Sequence, residues 1–425
     1  MSHTGTSLPA PNIWQKRAPF LIFALALAVR IGLILITGDY RRTELFEMER
    51  VARSIAYTHQ FANPYLAPTG PTGHLMPGYA LVLSTVFILF SSPALAELVK
   101  QVLACTVSSL LYALLPFASE SFGLGAAAGM LSGIAGALLP IRFRTETRGD
   151  WEAPWTALLL LLIACWTVRA WRQGTFTRTS SFLRGLLWGL CTLFSATVLP
   201  VFAGVLLAGW RFRSRTGVRA FLESCALSVA GVLLALTPWV VRNELVFQQP
   251  VFTRTNFGLE LFVSNNDLAA PTMPDNLPAL VRWHPLFSSD EVAHIRVEGE
   301  PAYNHRKMQE ASLWIESHPA RFLQLTAARL GEFWFYVDSR PAIMLPPTLI
   351  TLAGFWGLWL ARKTNPAAVQ FCFVVLLLYP AVYYLLQISV RYRYPIDWIF
   401  LLFGSYGVLK FWWPTLARPR MFPAK

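Results

Sequence analysis

The chain has 425 residues, of which 55% are hydrophobic, 14% aromatic and only 14% charged. Soluble domains carry about a quarter charged residues, so this composition, with a mean hydropathy of +0.45, excludes an ordinary soluble enzyme and a disordered chain and points to a polytopic membrane protein. The net charge of +13 is not a nucleic-acid signal, because no basic, aromatic-interleaved motif accompanies it and the arginines fall between hydrophobic segments.

A spanning helix needs about 20 mostly apolar residues. In chain order the candidates are Phe20–Gly38, Leu95–Leu115, Phe122–Pro140, Ala153–Trp171, a helix pair over Gly185–Trp210 that breaks near Pro200, Phe221–Val241, Pro347–Ala361, Ala368–Ile388 and Pro395–Trp413. Lys16 and Arg17 precede the first stretch with no small-residue cleavage site, which reads as a retained span. Gly78–Phe90 is apolar but short for a crossing. If it does not cross, Arg169 to Arg219, Arg362, Lys363 and the basic tail share the side of Lys16 and Arg17, as the positive-inside rule requires. The expectation is an all-α polytopic bundle of about ten spans, in which Gly78–Phe90 is re-entrant or lies at the interface. It divides into an N-terminal membrane module over 1–241, a small, mostly helical outer segment over 242–346 and C-terminal membrane helices with a cytoplasmic tail over 347–425.

This layout gathers Asp39–Pro77, Ile141–Glu152, Arg242–Pro346 and Ser389–Tyr394 on the outer face. Glu44, Glu47 and Glu49 open a short amphipathic stretch, Arg50–Tyr57, suited to lie on a membrane. A carboxylate there can act as general base for a hydroxyl, or it can be a solvated face pairing with Arg50 and Arg53. Asp150 and Glu152 precede the span at Ala153, and the helix macrodipole alone would favour them there. Arg142, Arg144, Arg148, Arg391 and Arg393 sit outside against the topology rule. Their forks suit a phosphate, and ion pairing with Glu146 and Asp150 is the plain alternative. Within the outer segment, Thr253–Asn266 reads as extended or looped, and Pro301–Ser317 and Pro319–Tyr336 read as helices with little core of their own.

Other features read as structural. Gly125, Gly129 and Gly133 recur every four residues, a close-packing surface in a membrane helix. Glu97 and Lys100 are one turn apart, where pairing is the simplest reading and lining a cavity the alternative. The five cysteines all lie in apolar runs and read as small buried hydrophobes. The histidines show no metal-ligand spacing, so no metal site is assigned and a divalent ion is left open. His59 and His74 lie in the first loop, within reach of a substrate.

Several stretches in order carry a family resemblance. They are Glu47–Ala56, Phe61–Tyr65, Thr69–His74 and Met76–Tyr79, then Pro238-Trp239-Val240-Val241-Arg242-Asn243, Thr255–Leu261 with Asn265-Asn266, Trp314–Pro319 and Arg391-Tyr392-Arg393-Tyr394-Pro395. Over roughly Phe20 to Phe411 the chain resembles the polyprenyl-phosphate-dependent glycosyltransferases of the GT-C fold, the group of protein O-mannosyltransferases and aminoarabinose lipid A transferases. The resemblance implies a multi-pass inner-membrane enzyme that moves a sugar from a polyprenyl-phosphate donor to a glycan, lipid or protein acceptor outside the membrane. Its first-loop acid falls on Glu47, with Glu44 as the alternative, and its second-loop acid on Glu152 or Asp150. Arg391 and Arg393, with Arg148, would meet the lipid phosphate, and His74, Tyr65, Asn256 and Asn265 the substrate. The rivals are a lipid or saccharide flippase, against which no internal repeat is found, and a non-catalytic assembly protein on the same fold.

Overall fold

The structure is a computed structural model that describes residues 13–41, 45–139, 142–215, 217–336 and 341–414. In order, the helices are α1 (Ile13–Thr37), α2 (Glu47–Thr58), α3 (Pro77–Leu89), α4 (Pro93–Ala113), α5 (Leu115–Phe122), α6 (Ala126–Leu138), α7 (Phe143–Thr147), α8 (Ala153–Gln173), α9 (Arg178–Phe194) and α10 (Val198–Gly209). They continue as α11 (Val218–Phe247), α12 (Phe257–Ser264), α13 (Leu277–Trp283), α14 (Ser289–Glu298), α15 (Glu300–Ser317), α16 (Pro319–Phe335), α17 (Pro341–Ala361), α18 (Pro366–Leu378) and α19 (Tyr394–Trp412). Among the described residues the β contacts are two isolated bridges, Ala62 with Pro71 and Thr272 with Ile388.

Among the described residues five helices are long and apolar enough to cross a membrane: Arg17–Thr37, Pro93–Phe122, Ala153–Gln173, Val218–Phe247 and Pro366–Tyr384. Pro77–Leu89, Ala126–Leu138 and Leu345–Ala361 are shorter apolar helices. The expected span Phe122–Pro140 is thus shortened to α6, because α5 ends at Gly123 in a left-handed turn and α6 starts only at Ala126. The break between α9 and α10 falls at Ser195–Thr197, not at Pro200. Pro200 sits in the first turn of α10, where its missing N–H leaves no bond unmade.

The bundle packs α1 against α4 and α6, α19 against α6, α8 and α17, α9 against α11, and α10 against α18. The glycine repeat divides by role. A Cβ at Gly129 would sit 2.4 Å from the Pro116 Cα, so α6 and α5 touch backbone to backbone there. Gly125, with φ of 88°, is instead the turn that starts α6. Arg30, fully buried within α1, donates to the carbonyls of Ala26, Gly136 and Ala137 and pairs with Glu146 at 2.8 Å. Glu146 therefore finds its cation in a membrane helix and not among its loop neighbours.

Two smaller clusters sit beside the main core. In α2 the residues Met48, Val51 and Ala52 face Tyr79, Leu83 and Phe87 of α3, the one-sided burial expected of an amphipathic helix. The second cluster joins Leu259 and Val263 of α12 to Leu280, Val292, Ile295 and Tyr303, and takes Tyr65 from the first loop. The 253–266 stretch is thus a loop only at its ends, with α12 between them. Leu259 and Val263, four apart, bury one face of a short helix, and Gly258 lets α12 approach Asn304 of α15. The helices expected at Pro301–Ser317 and Pro319–Tyr336 are present as α15 and α16.

Candidate functional site

A cavity of about 630 Å³ opens where the first turn of α2, α12, α13, the end of α16 and the 387–392 strand of chain converge. Its wall is mostly apolar, and its charged lining includes Glu47, Glu260, Glu332, His284 and Arg391.

The first loop is shaped from outside itself. Arg242, at the end of α11, donates to the carbonyls of Phe61 and Thr72, each at 2.7 Å. Glu300, at the start of α15, accepts from Thr72 Oγ1 at 2.5 Å, Gly73 N at 2.7 Å and Thr255 Oγ1 at 2.5 Å. Burial pushes the Glu300 carboxyl above its usual range, against the pull of these donors and Arg242. The clamp fixes the next residue, His74, whose carbonyl accepts from Arg254 Nε at 2.8 Å and whose Nδ1 is 2.9 Å from the Tyr65 hydroxyl.

Around His74 the fold gathers residues far apart in sequence. One donor atom each from Glu47, His74 and His284 lie within 4.8 Å of one another, and all three residues are buried. His284 Nε2 is 4.0 Å from Glu47 Oε1 and 3.9 Å from Glu260 Oε1. Asn256 Nδ2 donates to Glu260 Oε1 at 3.3 Å. Burial takes the His74 imidazole down to about 3, so it is neutral at any working pH. Burial would lower His284 as well, but the neighbouring Glu260, with Glu47 and Glu291, holds it above its ordinary value. Burial works against the Glu260 carboxylate, yet His284, His74 and Arg254 together hold it down to about 2.

The donor set was weighed against a divalent metal. His74 fits, since its Nδ1 is occupied by Tyr65 and its Nε2 is left as a ligand. His284 does not, since Leu286 N–H donates to its Nδ1 at 3.1 Å and so assigns its proton to Nε2, the nitrogen facing the two carboxylates. A ligating nitrogen must be bare, so in this arrangement the trio is a carboxylate–imidazole cluster at ion-pair distance, His284 Nε2 standing 4.0 Å from Glu47.

Across the cavity the guanidinium of Arg391 lies 3.4 Å from the centre of the Trp151 ring. The 385–391 stretch is held in place by backbone bonds from Met273 N to Ile388 O, 2.9 Å, and from Ile388 N to Pro271 O, 2.8 Å. Arg391 has no carboxylate within ion-pair distance among the described residues.

The other sequence candidates lie elsewhere. Glu44 is outside the described residues. Arg393 is 2% exposed, donates to the Trp334 carbonyl and Thr351 Oγ1, both at 2.6 Å, and pairs with Asp397 at 2.9 Å. Arg142 also binds Asp397, and Arg148 pairs with Asp39 at 3.6 Å. Asp150 is 3.2 Å from Lys100 Nζ. Glu152 is half-buried with Oε2 unpartnered and stands outside the cavity lining. Asn265 is structural, donating to the carbonyls of Leu261 and Leu385 and accepting from Arg329. His284 and Glu260 were not legible as site residues, because no local spacing relates them to Glu47 or His74.

No protein-family model matches the chain, and no curated protein matches it. Among solved structures it is similar to the oligosaccharyltransferase of Archaeoglobus fulgidus. With the apo form the TM-score is 0.56 at 12% identity, covering 94% of this chain and 51% of that one. With the AglB complex holding an inhibitory peptide and a dolichol-phosphate it is 0.53 at 12% identity, covering 93% and 50%. With the complex with Zn and sulfate it is 0.52 at 14% identity, covering 92% and 49%. The chain spans about half the length of these structures. At such identities the likeness speaks for architecture, and across most of its length the chain has a GT-C-like fold.

Proposed function

We propose that the chain is an integral membrane glycosyltransferase that moves a sugar from a polyprenyl-phosphate donor to an acceptor hydroxyl at the outer face of the membrane. The observation that carries this reading is the presence on the lining of one cavity of a buried carboxylate, Glu47, and an arginine, Arg391, that makes no ion pair among the described residues. A base and a phosphate-binding cation are the two groups the reaction needs. The dolichol-phosphate and the acceptor peptide bound by the structural neighbours support a lipid-phosphate donor for this cavity too.

Glu47 takes the acceptor proton as the acceptor oxygen attacks the anomeric carbon. The bond from that carbon to the phosphate oxygen breaks, and its electron pair leaves with the lipid phosphate. Arg391, held flat by Trp151, offers its fork to the charge that develops there. His284 Nε2, between Glu47 and Glu260, orients the base. A single displacement inverts the sugar. No step is routed through a metal. The test is Glu47→Gln, with radiolabelled polyprenyl-phosphate sugar and purified protein. Loss of transfer by about 100-fold or more is expected, and wild-type transfer by folded protein refutes the assignment.

A further inference from the structure

One ammonium group ties together the two sides of the cavity. Lys100, within α4 and 1% exposed, lies 2.9 Å from Glu49 Oε1, 2.9 Å from Glu97 Oε2 and 3.2 Å from Asp150 Oδ1. Glu49 and Asp150 accept hydrogen bonds from the ammonium, and Glu97 completes the cluster as an ion pair. Glu97 is on its own helix, one turn away. The other two are not. Glu49 belongs to the first turn of α2, two residues beyond Glu47. Asp150 immediately precedes Trp151, the ring on which Arg391 rests. The second loop is also seated on Lys100 sterically. A Cβ at Gly149 would come within 3.0 Å of the lysine side chain, and the Gly149 carbonyl accepts from the Tyr79 hydroxyl of α3.

We infer that Lys100 is a positioning residue of the active site, an internal cross-link from a membrane helix that sets the base on α2 and the phosphate-binding Trp151–Arg391 shelf at a fixed separation. Lys100 touches neither substrate nor reacting atoms. It acts through Glu49 on Glu47 and through Asp150 on Trp151. A surface ion pair would not serve, since long side chains in water hold no fixed geometry. This one is enclosed, and Glu49 is 1% exposed. Misplacement of reacting groups by about 1 Å costs roughly 100-fold in rate.

The inference rests on the transferase reading, and the test separates the two. Lys100→Met alone leaves its acidic partners without their cation and destabilises the protein. The informative variant, here the balanced one, removes the lysine together with the two acids that reach it from other segments, Lys100→Met/Glu49→Gln/Asp150→Asn, purified in detergent beside wild type, Lys100→Arg and Glu47→Gln. Three quantities are read: thermal unfolding, binding of undecaprenyl phosphate without any sugar, and kcat with a polyprenyl-phosphate sugar. The balanced variant is expected to regain most of the unfolding temperature lost by Lys100→Met. It should still lose roughly 100-fold in kcat and bind undecaprenyl phosphate about tenfold more weakly, and Lys100→Arg should recover part of both. A balanced variant with wild-type kcat and lipid-phosphate binding overturns the positioning role. If Glu47→Gln transfers sugar normally while the balanced variant still binds lipid phosphate weakly, the choice of base fails and the cross-link stands.

Discussion

The two arginines of Arg391-Tyr392-Arg393 are two residues apart in sequence, and replacing each by methionine should give opposite results. Arg391 lines the cavity with its guanidinium over Trp151. A charge-assisted hydrogen bond contributes about 1.5–3 kcal/mol, which at 1.36 kcal/mol per tenfold corresponds to roughly 10- to 150-fold in kcat/KM. Arg391→Met should lose that much transfer while unfolding at nearly the wild-type temperature. Arg391→Lys keeps the charge but gives up the flat stack, a difference of about 0.5–1 kcal/mol or roughly two- to fivefold. Arg393 is enclosed by the Trp334 carbonyl, Thr351 and Asp397. Removing one member of a buried pair costs about 3–5 kcal/mol, and the lower figure applies because Asp397 keeps Arg142. Arg393→Met should therefore unfold several degrees lower, and its surviving folded fraction should transfer sugar at close to the normal rate. Initial rates with radiolabelled donor, normalised to folded protein by size-exclusion chromatography, read both outcomes. If Arg393→Met abolishes transfer at unchanged stability and Arg391→Met leaves it intact, the assignment of the phosphate to Arg391 is wrong.

Two further outcomes follow from the packing and the charges. Gly129→Leu places a Cβ against the Pro116 backbone, which cannot yield as a side chain would; overpacking of this kind costs about 1–3 kcal/mol, seen as a lower unfolding temperature with kcat/KM per folded molecule unchanged. His284 has a folded pKa raised by Glu260, Glu47 and Glu291 against its burial; protonation at Nδ1 gives up the bond from Leu286 N–H, and the net stabilising contribution of the imidazolium is complete below the unfolded value of about 6.5 and is lost as the pH rises through the folded value. Thermal unfolding across that window should flatten in His284→Asn, and an unchanged profile refutes the coupling.

Five of the expected spans were legible, because uninterrupted apolar length is a property of single segments. So were α15 and α16, whose apolar positions recur at helical spacing. The short amphipathic helix of the first loop was legible, and Glu47 begins it. The remainder of the site depends on tertiary contacts that no local pattern encodes. His284 and Glu260 reach Glu47 only because α12 and α13 fold back over the first loop and take Tyr65 into their core. Arg391 and Arg393 read alike in sequence. They separate because Val390–Arg393 is a 3-10 turn, in which residues two apart point in different directions, one toward the cavity and one into the bundle.

The excess of positive charge can now be apportioned. Five arginines break the positive-inside pattern of the expected topology, and a phosphate ligand would explain such a breach. Yet a breach is also explained when the cation meets an acid within the fold, and most of these do. Arg142 and Arg393 share Asp397, and Arg148 pairs with Asp39. Arg144 is exposed, its guanidinium near the Phe143 ring. Buried ion pairs seldom stabilise a fold over apolar replacements, so their worth here is in fixing where the loops sit, as Lys100 does between Glu49 and Asp150. That leaves Arg391, whose neighbour is an aromatic face rather than a carboxylate. A half-buried cation that faces a cavity without an ion-pair partner keeps its fork open to an anion from outside the chain. The acids Glu47 and Glu260 are held instead around His284. This separation of charge, arginine on one wall and carboxylates around an imidazole on the other, is what a displacement with an anionic leaving group and a proton-bearing nucleophile requires.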